Sequence, residues 1–251
     1  MPTPVDISEE AGVRYLHFGS DWIQGAMRIA RPWALELDYT REMMTSLLLR
    51  PEPEWPRSAL LVGLGAASLA KFLYRHRPQA KLTVVEIEPA VVAAARQFFR
   101  LPDDPKRLKI EIADGVDWLA GSDRTFDLIL VDGFDADARA GGLDTLPFYR
   151  ACRAHLSAAG LLSVNLLGRN RGFKGSVERI GRAFEGRVMV FPSCDQGNAI
   201  AFAATGEPIR VPLNELRTLA QALRKQTGLN LLPTLARLSH WQSCPDGRLA
   251  L

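Results

Sequence analysis

Glycines and carboxylates recur along the middle of this chain at spacings that suit a nucleoside-sized ligand with a positively charged partner. Gly63 and Gly65 stand where the apolar run Ala59-Leu-Leu-Val-Gly-Leu-Gly65 gives way to a helical pattern. Glycine there lets the backbone approach a ligand closely, and the helix that follows offers N–H groups without partners of their own. Glu86 ends the next apolar run, 82–86, about 20 residues on, where a carboxylate accepts hydrogen bonds from both hydroxyls of a ribose. Asp114, followed by Gly115, ends the run 108–114. Two compatible roles suit that aspartate: accepting from the exocyclic amine of an adenine, with the next N–H meeting a ring nitrogen, or capping the following helix. Asp132 ends the run 126–132, and Asp135 and Asp137 come soon after. Such a loop is either a solvated turn or, at the mouth of a cleft, a local negative field that draws in a cation.

A parallel sheet would bring these positions together. The four runs are short, rich in Val, Ile and Leu, and separated by helix-period stretches, the pattern of strands covered on both faces. Ligands of such sheets bind outside the carboxyl ends of the strands. The predicted fold is therefore α/β, Rossmann-like and doubly wound, with a mostly parallel sheet. From residue 59 strands alternate with helices at 67–76, 89–99, 116–120 and 146–156, then come a strand at 160–167 and a helix at 174–184. Strands at 187–191 and 198–204 lie too close in sequence for a parallel crossover, so one is expected to run antiparallel at the edge. Upstream, 13–18 and 22–29 read as a hairpin around a Gly-Ser-Asp turn, and 38–49 as one helix stopped by Pro51, Pro53 and Pro56. Beyond residue 205 the pattern is helical. The expected organisation is a small N-terminal β element with its helix (1–55), a nucleoside-binding catalytic domain (56–206) and a C-terminal helical appendage (207–251).

Bulk properties exclude several classes. With 251 residues, 47% hydrophobic and 24% charged, the chain has a globular composition. No apolar run approaches the roughly 20 residues that span a bilayer, and the acidic N-terminus does not read as a secretory signal; the expected setting is cytoplasmic, away from membranes. Cys152, Cys194 and Cys244 are too few and too scattered for a disulfide framework, and with His17, His76, His155 and His240 they show no metal-ligand spacing. No metal is expected. A net charge of +3 gives no reason to expect a nucleic-acid partner. The one basic cluster, Arg169-Asn-Arg171-Gly-Phe-Lys174, is either a solvated loop or a contact for an anionic substrate group.

Val62-Gly-Leu-Gly65, Val84-Val-Glu-Ile-Glu-Pro89, Ala113-Asp-Gly-Val-Asp-Trp-Leu119, Leu130-Val-Asp-Gly-Phe-Asp135 and Leu146-Pro-Phe-Tyr149 together resemble the spermidine synthases, the aminopropyltransferase family on the class I S-adenosylmethionine-dependent methyltransferase fold. Trp22-Ile-Gln-Gly-Ala26 resembles the family's N-terminal β element. The resemblance covers residues 13–204 and implies transfer of an aminopropyl group from a sulfonium nucleoside, decarboxylated S-adenosylmethionine, to an amine. It implies Asp132 as the base that deprotonates the amine, and Gln24, Asp135 and Tyr149 as substrate contacts. Gly63, Gly65, Glu86, Asp114 and Gly115 would hold the nucleoside, and the assembly would be a homodimer or homotetramer. The family carries an aspartate after its glycine turn to hold the donor's ammonium; this chain has Ala66, followed by Ala67 and Ser68. It also has Ala136 for a proline, and Tyr39 matches a substrate tyrosine only in a shifted register. A methyltransferase using S-adenosylmethionine itself, and a non-catalytic nucleoside-binding homologue, are the alternatives.

Overall fold

The computed structural model describes residues 4–19, 22–135, 139–168, 172–191, 197–240 and 247–251. Asp137, Arg169, Asn170, Arg171, Cys194 and Cys244 lie outside them, as do Ser20 and Asp21 of the expected hairpin turn. The chain opens with an antiparallel sheet of β1 (Asp6–Glu10), β2 (Val13–His17) and β3 (Ile23–Arg28). The sequence suggested only the last two. β1 is almost wholly exposed and carries three acids in five residues, so it lacks the alternation that marks a half-buried strand.

The expected helix at 38–49 is two, α1 (Asp38–Met43) and α2 (Ser46–Leu49). Between them Met44 N–H bonds Arg41 O and Thr45 N–H bonds Glu42 O, three-residue steps that tighten the coil. Met43, Met44, Leu47, Leu48 and Leu49 are all at most 2% exposed. Burial of the whole segment, rather than of one stripe, lets the break form without exposing apolar surface.

The main sheet has seven strands: β4 (Ser58–Val62), β5 (Lys81–Glu86), β6 (Leu108–Ile112), β7 (Phe126–Val131), β8 (Leu156–Leu167), β9 (Val188–Val190) and β10 (Asn198–Ala204), in the order β6-β5-β4-β7-β8-β10-β9. Helices α3 (Ser68–His76), α4 (Pro89–Phe98), α5 (Gly115–Ala120), α6 (Leu146–Ala154) and α7 (Phe173–Ala183) connect them. Residues alternate between faces. Ala59 and Leu61 join an apolar cluster with Val84, Leu130 and Phe202, whereas Leu60 and Val62 join another with Ile129, Val164 and Phe184. Burial on both sides is why these strands read as unbroken apolar runs, each fully buried Leu or Val contributing about 1.5–3 kcal/mol.

One expectation about the edge is corrected. β10 is the antiparallel strand, but it lies inside, paired on one side with β8 and on the other with β9. Short β9 forms the edge. Six of the seven residues of β10 that pair with β8 are Ala, Ile or Phe and are buried, as an inner strand requires.

The tail adds α8 (Leu213–Thr227), α9 (Leu232–His240) and an unanticipated ribbon of β11 (Arg210–Pro212) with β12 (Arg248–Ala250). One apolar cluster runs from Val13 and Leu16 through Leu47 and Leu61 to Leu216, Leu235 and Leu249. Among the described residues no helix is long and apolar enough to cross a membrane.

Candidate active site

β5 and β7 flank β4, so the chain's winding reverses at β4–β7 and the loops there part to leave a crevice. Val62 is level with both Val85 and Val131, which puts Gly63, Glu86 and Asp132 side by side at one end of the sheet. Gly63 has φ +97°, and a methyl there would lie 2.2 Å from the Asp132 carbonyl oxygen. Only glycine fits that crossing. Gly115 is similarly required, since a methyl would lie 2.5 Å from Val62 Cγ1.

A cavity of about 690 Å³ opens there. Gln24, Gly63, Gly65, Glu86, Asp114, Gly115, Asp132 and Asp135 all line it. β3 reaches it from the N-terminal sheet and lies across the glycine turn: a methyl on Gly65 would lie 3.2 Å from Gln24 O, and one on Gly25 would lie 2.6 Å from Ala66 Cβ. Trp22, Ile23 and Ile87 are 62%, 49% and 58% exposed and give the mouth an apolar rim.

Tyr149 is not brought there. It is fully buried in the cluster between sheet and helices, and its hydroxyl donates to Asp144 Oδ1 at 2.9 Å. Asp144 also accepts from Ser176 Oγ at 2.8 Å and Arg179 Nη2 at 2.5 Å. Tyr149 therefore helps fix the turn Gly141–Asp144, whose Gly141, Gly142 and Leu143 line the cavity. Its place on one face of α6 with Cys152, three positions on and fully buried, was the sequence signal for an inward side chain.

The acids are held in different ways. Glu86, 7% exposed, accepts from Leu64 N–H on Oε2 at 2.8 Å and from Glu88 N–H on Oε1 at 2.9 Å. Burial pushes its carboxyl above the ordinary range while these backbone bonds pull it down. Asp114 Oδ1 accepts from Val116 N–H at 2.7 Å and Asp117 N–H at 3.2 Å, so it caps α5. Asp135 Oδ1 accepts from Arg139 N–H at 2.8 Å, and Asp135 N–H donates to Arg139 O at 3.0 Å.

Asp132 sits part-buried in side-chain company. Tyr39 Oη donates to its Oδ2 at 3.1 Å, and Asn165 Nδ2 donates to its Oδ1 at 2.8 Å. Asn198 Nδ2 donates in turn to Asn165 Oδ1 at 2.9 Å. Burial raises the Asp132 carboxyl above the usual carboxylate range; the Asn165 and Tyr39 bonds oppose it. A carboxylate poised upward in this way is a better proton acceptor than a free one. Sequence reasoning missed Asn165, Asn198, Glu88 and Arg139, which also line the cavity. Asn165 had a signal: it is a lone amide near the end of the apolar run 161–167, and a buried amide needs partners.

The model of the spermine/spermidine synthase domain matches residues 37–165, about half of the chain. The polyamine aminopropyltransferase of Neisseria meningitidis is 35% identical over 234 residues, 93% of this chain and 88% of its own length. The enzyme of the same name from Chromobacterium violaceum is 35% identical over 247 residues, covering 98% and 94%. Among solved structures, human methyltransferase-like protein 13 in complex with SAH superposes with a TM-score of 0.68 at 25% identity, covering 77% of this chain and 93% of that one. With the matched segment running from α1 through β8 and so containing Tyr39, Glu86, Asp114, Asp132 and Asn165, the chain belongs to the spermine/spermidine synthase family.

Proposed function

We propose that the protein transfers an aminopropyl group from decarboxylated S-adenosylmethionine to a small amine. The observation that carries this reading is the charge of the cavity. Among the described residues, Glu86, Glu88, Asp114, Asp132 and Asp135 line it against the single cation Arg139, a surplus suited to a sulfonium donor and an ammonium acceptor. The volume, about 690 Å³, suits a nucleoside and a small amine together. The relatives' shared name, polyamine aminopropyltransferase, agrees.

In this reading the adenosine lies along the strand ends. Glu86 takes the ribose hydroxyls, Asp114 the adenine amine, and Gly63, Gly65 and Gly115 admit the nucleoside against the backbone. Gln24 and Asp135 meet the substrates, whereas Tyr149 acts only through Asp144. An alkylammonium has a pKa of about 10.4 by analogy with lysine, so it must lose a proton before it attacks; Asp132 accepts that proton. The amine nitrogen bonds the carbon next to sulfur, the carbon–sulfur bond breaks with its electrons passing to sulfur, and a neutral thioether nucleoside leaves. Holding the two reactants in line supplies much of the acceleration.

A second reading, methyl transfer from S-adenosylmethionine, is favoured by Ala66. That residue is 2% exposed and packed beneath Gly25, so no carboxylate stands where the family's aspartate holds the donor's ammonium. Turnover assays with each donor, alongside calorimetric titration, separate the two. An aminopropylated amine formed from the decarboxylated donor supports the first reading; methylated product alone overturns it. The setting we propose is cytoplasmic, with a homodimer or homotetramer and no nucleic-acid partner; light scattering of the purified protein tests the assembly.

A further inference from the structure

No described residue of the C-terminal helices lines the cavity, yet α9 is joined to it through a short path. Its Arg237 forms an ion pair with Glu42 of α1. Glu42 is 1% exposed, and a carboxylate buried to that degree stays charged only beside a counter-ion. Three positions earlier on α1, Tyr39 donates to Asp132. One six-residue helix thus carries both the contact to the tail and the contact to the base.

α1 cannot set its own position. It is under two turns long and its N-terminus has no side-chain cap, and helices so short are not stable alone. Contacts from outside must hold it. On its N-terminal side Arg41 donates to Leu35 O and Glu36 O, both at 2.8 Å, and Thr40 Oγ1 donates to Leu37 O at 2.6 Å. These ties are local, within six residues in sequence. The Glu42–Arg237 pair adds a long-range polar tie beside the Tyr39–Asp132 bond, while α1 packs against β8 and β10.

We propose that Arg237 and Glu42 are positioning residues that hold α1 so that the Tyr39 hydroxyl meets Asp132, making the C-terminal tail part of the device that tunes the base. The inference rests on the reading of Asp132 as that base. Released from the pair, α1 shifts, Tyr39 withdraws, and Asp132 keeps only Asn165 as donor. The other ionisable groups lining the cavity, Glu86, Glu88, Asp114, Asp135 and Arg139, lie outside α1 and keep their places, whereas Asp38, on α1 itself and paired with Arg41, loses its electrostatic interaction with Arg237.

The test compares R237M, R237K, the paired E42Q/R237M, Y39F and Y39F/R237M. Using decarboxylated S-adenosylmethionine and 1,4-diaminobutane, R237M should lower kcat about tenfold, the scale of a small misplacement of a catalytic group, and move the acid limb of the kcat profile upward, as Y39F does. The double variant Y39F/R237M should be no worse than Y39F, and R237K should recover most of the loss. Methylthioadenosine affinity should stay unchanged. If R237M fails to fold, E42Q/R237M removes both charges without orphaning either and serves in its place. A wild-type kcat profile in the folded variant, or additive effects in Y39F/R237M, overturns the proposal. A readout free of turnover is the Tyr39 Cζ resonance in tyrosine-labelled protein, assigned by its loss in Y39F, whose pH titration reports Asp132. Should wild-type protein turn over neither donor, the aminopropyl reading falls, while a shifted Tyr39 titration in R237M still supports the tie; an unshifted one overturns it.

Discussion

Glu86 and Asp132 stand at the ends of the two strands that flank β4, both desolvated and both lining one cavity, yet they are held by different means. Glu86 is fixed by backbone N–H groups of Leu64 and Glu88. Asp132 is fixed by the side chains of Tyr39 and Asn165, with Asn198 behind. Backbone donors come with the strand–turn geometry and survive any side-chain exchange except to proline. Side-chain donors can be exchanged one at a time. The nucleoside half of the site is therefore a property of the fold, and the acceptor half is an adjustable assembly of side chains from distant elements.

The largest effect expected from breaking this contrast is at Asp132. Asp132→Asn should lower turnover by about 10²–10⁴-fold, the usual worth of a general base, while methylthioadenosine affinity stays within about tenfold, or roughly 1.4 kcal/mol. Steady-state kinetics beside calorimetry decides it, and unchanged turnover removes Asp132 from the mechanism. The same variant should melt higher at neutral pH. Because the folded carboxyl is raised, the folded state holds its proton more tightly than the unfolded chain does. Stability from this group therefore grows as pH falls through the folded value, and above that value the buried charge is a cost that asparagine lacks. Reversal of the amide chain through Asn165 and Asn198 keeps the hydrogen bonds made.

Glu86→Ala should act on the other half. Losing a charged acceptor should weaken methylthioadenosine by about 1.5–3 kcal/mol, and binding at wild-type strength refutes the ribose assignment. Asn165→Leu probes adjustability with a smaller effect. Both donors hold the Asp132 carboxyl down, so removing one should carry the acid limb of kcat to higher pH and lower kcat about tenfold. An unmoved limb means that Asn165 does not tune Asp132. Asp114→Asn should be the mildest. Asparagine caps helices as well as aspartate does, so the melting temperature should hold, while one acceptor oxygen fewer weakens the adenine nucleoside by about 1 kcal/mol. A fall in melting temperature without loss of affinity would make Asp114 a cap and nothing more.

Much of the nucleoside half was legible in the chain itself. Strands covered on both faces must be apolar throughout, so their limits stand out, and the residue at each carboxyl end is then named by position: Gly63, Glu86, Asp114 and Asp132. The acceptor half was not legible to the same degree. Tyr39 lies 93 residues from Asp132 and Asn165 lies 33 away, and nothing local couples them. Tyr149 follows the matched motif yet turns inward, because α6 presents Phe148, Tyr149 and Cys152 to the apolar cluster.

What the sequence by itself determined was the alternation of strands and helices, and with it the row of glycines and carboxylates along one rim. These follow from periodicity and from the need of every buried strand to be apolar. Only the tertiary structure decided which side chains close on Asp132, that α1 and α2 part at Met44, that β10 runs inside rather than at the edge, and that α9 reaches Glu42. Each depends on how elements far apart in sequence pack, and side-chain direction across such a contact is set by the contact itself.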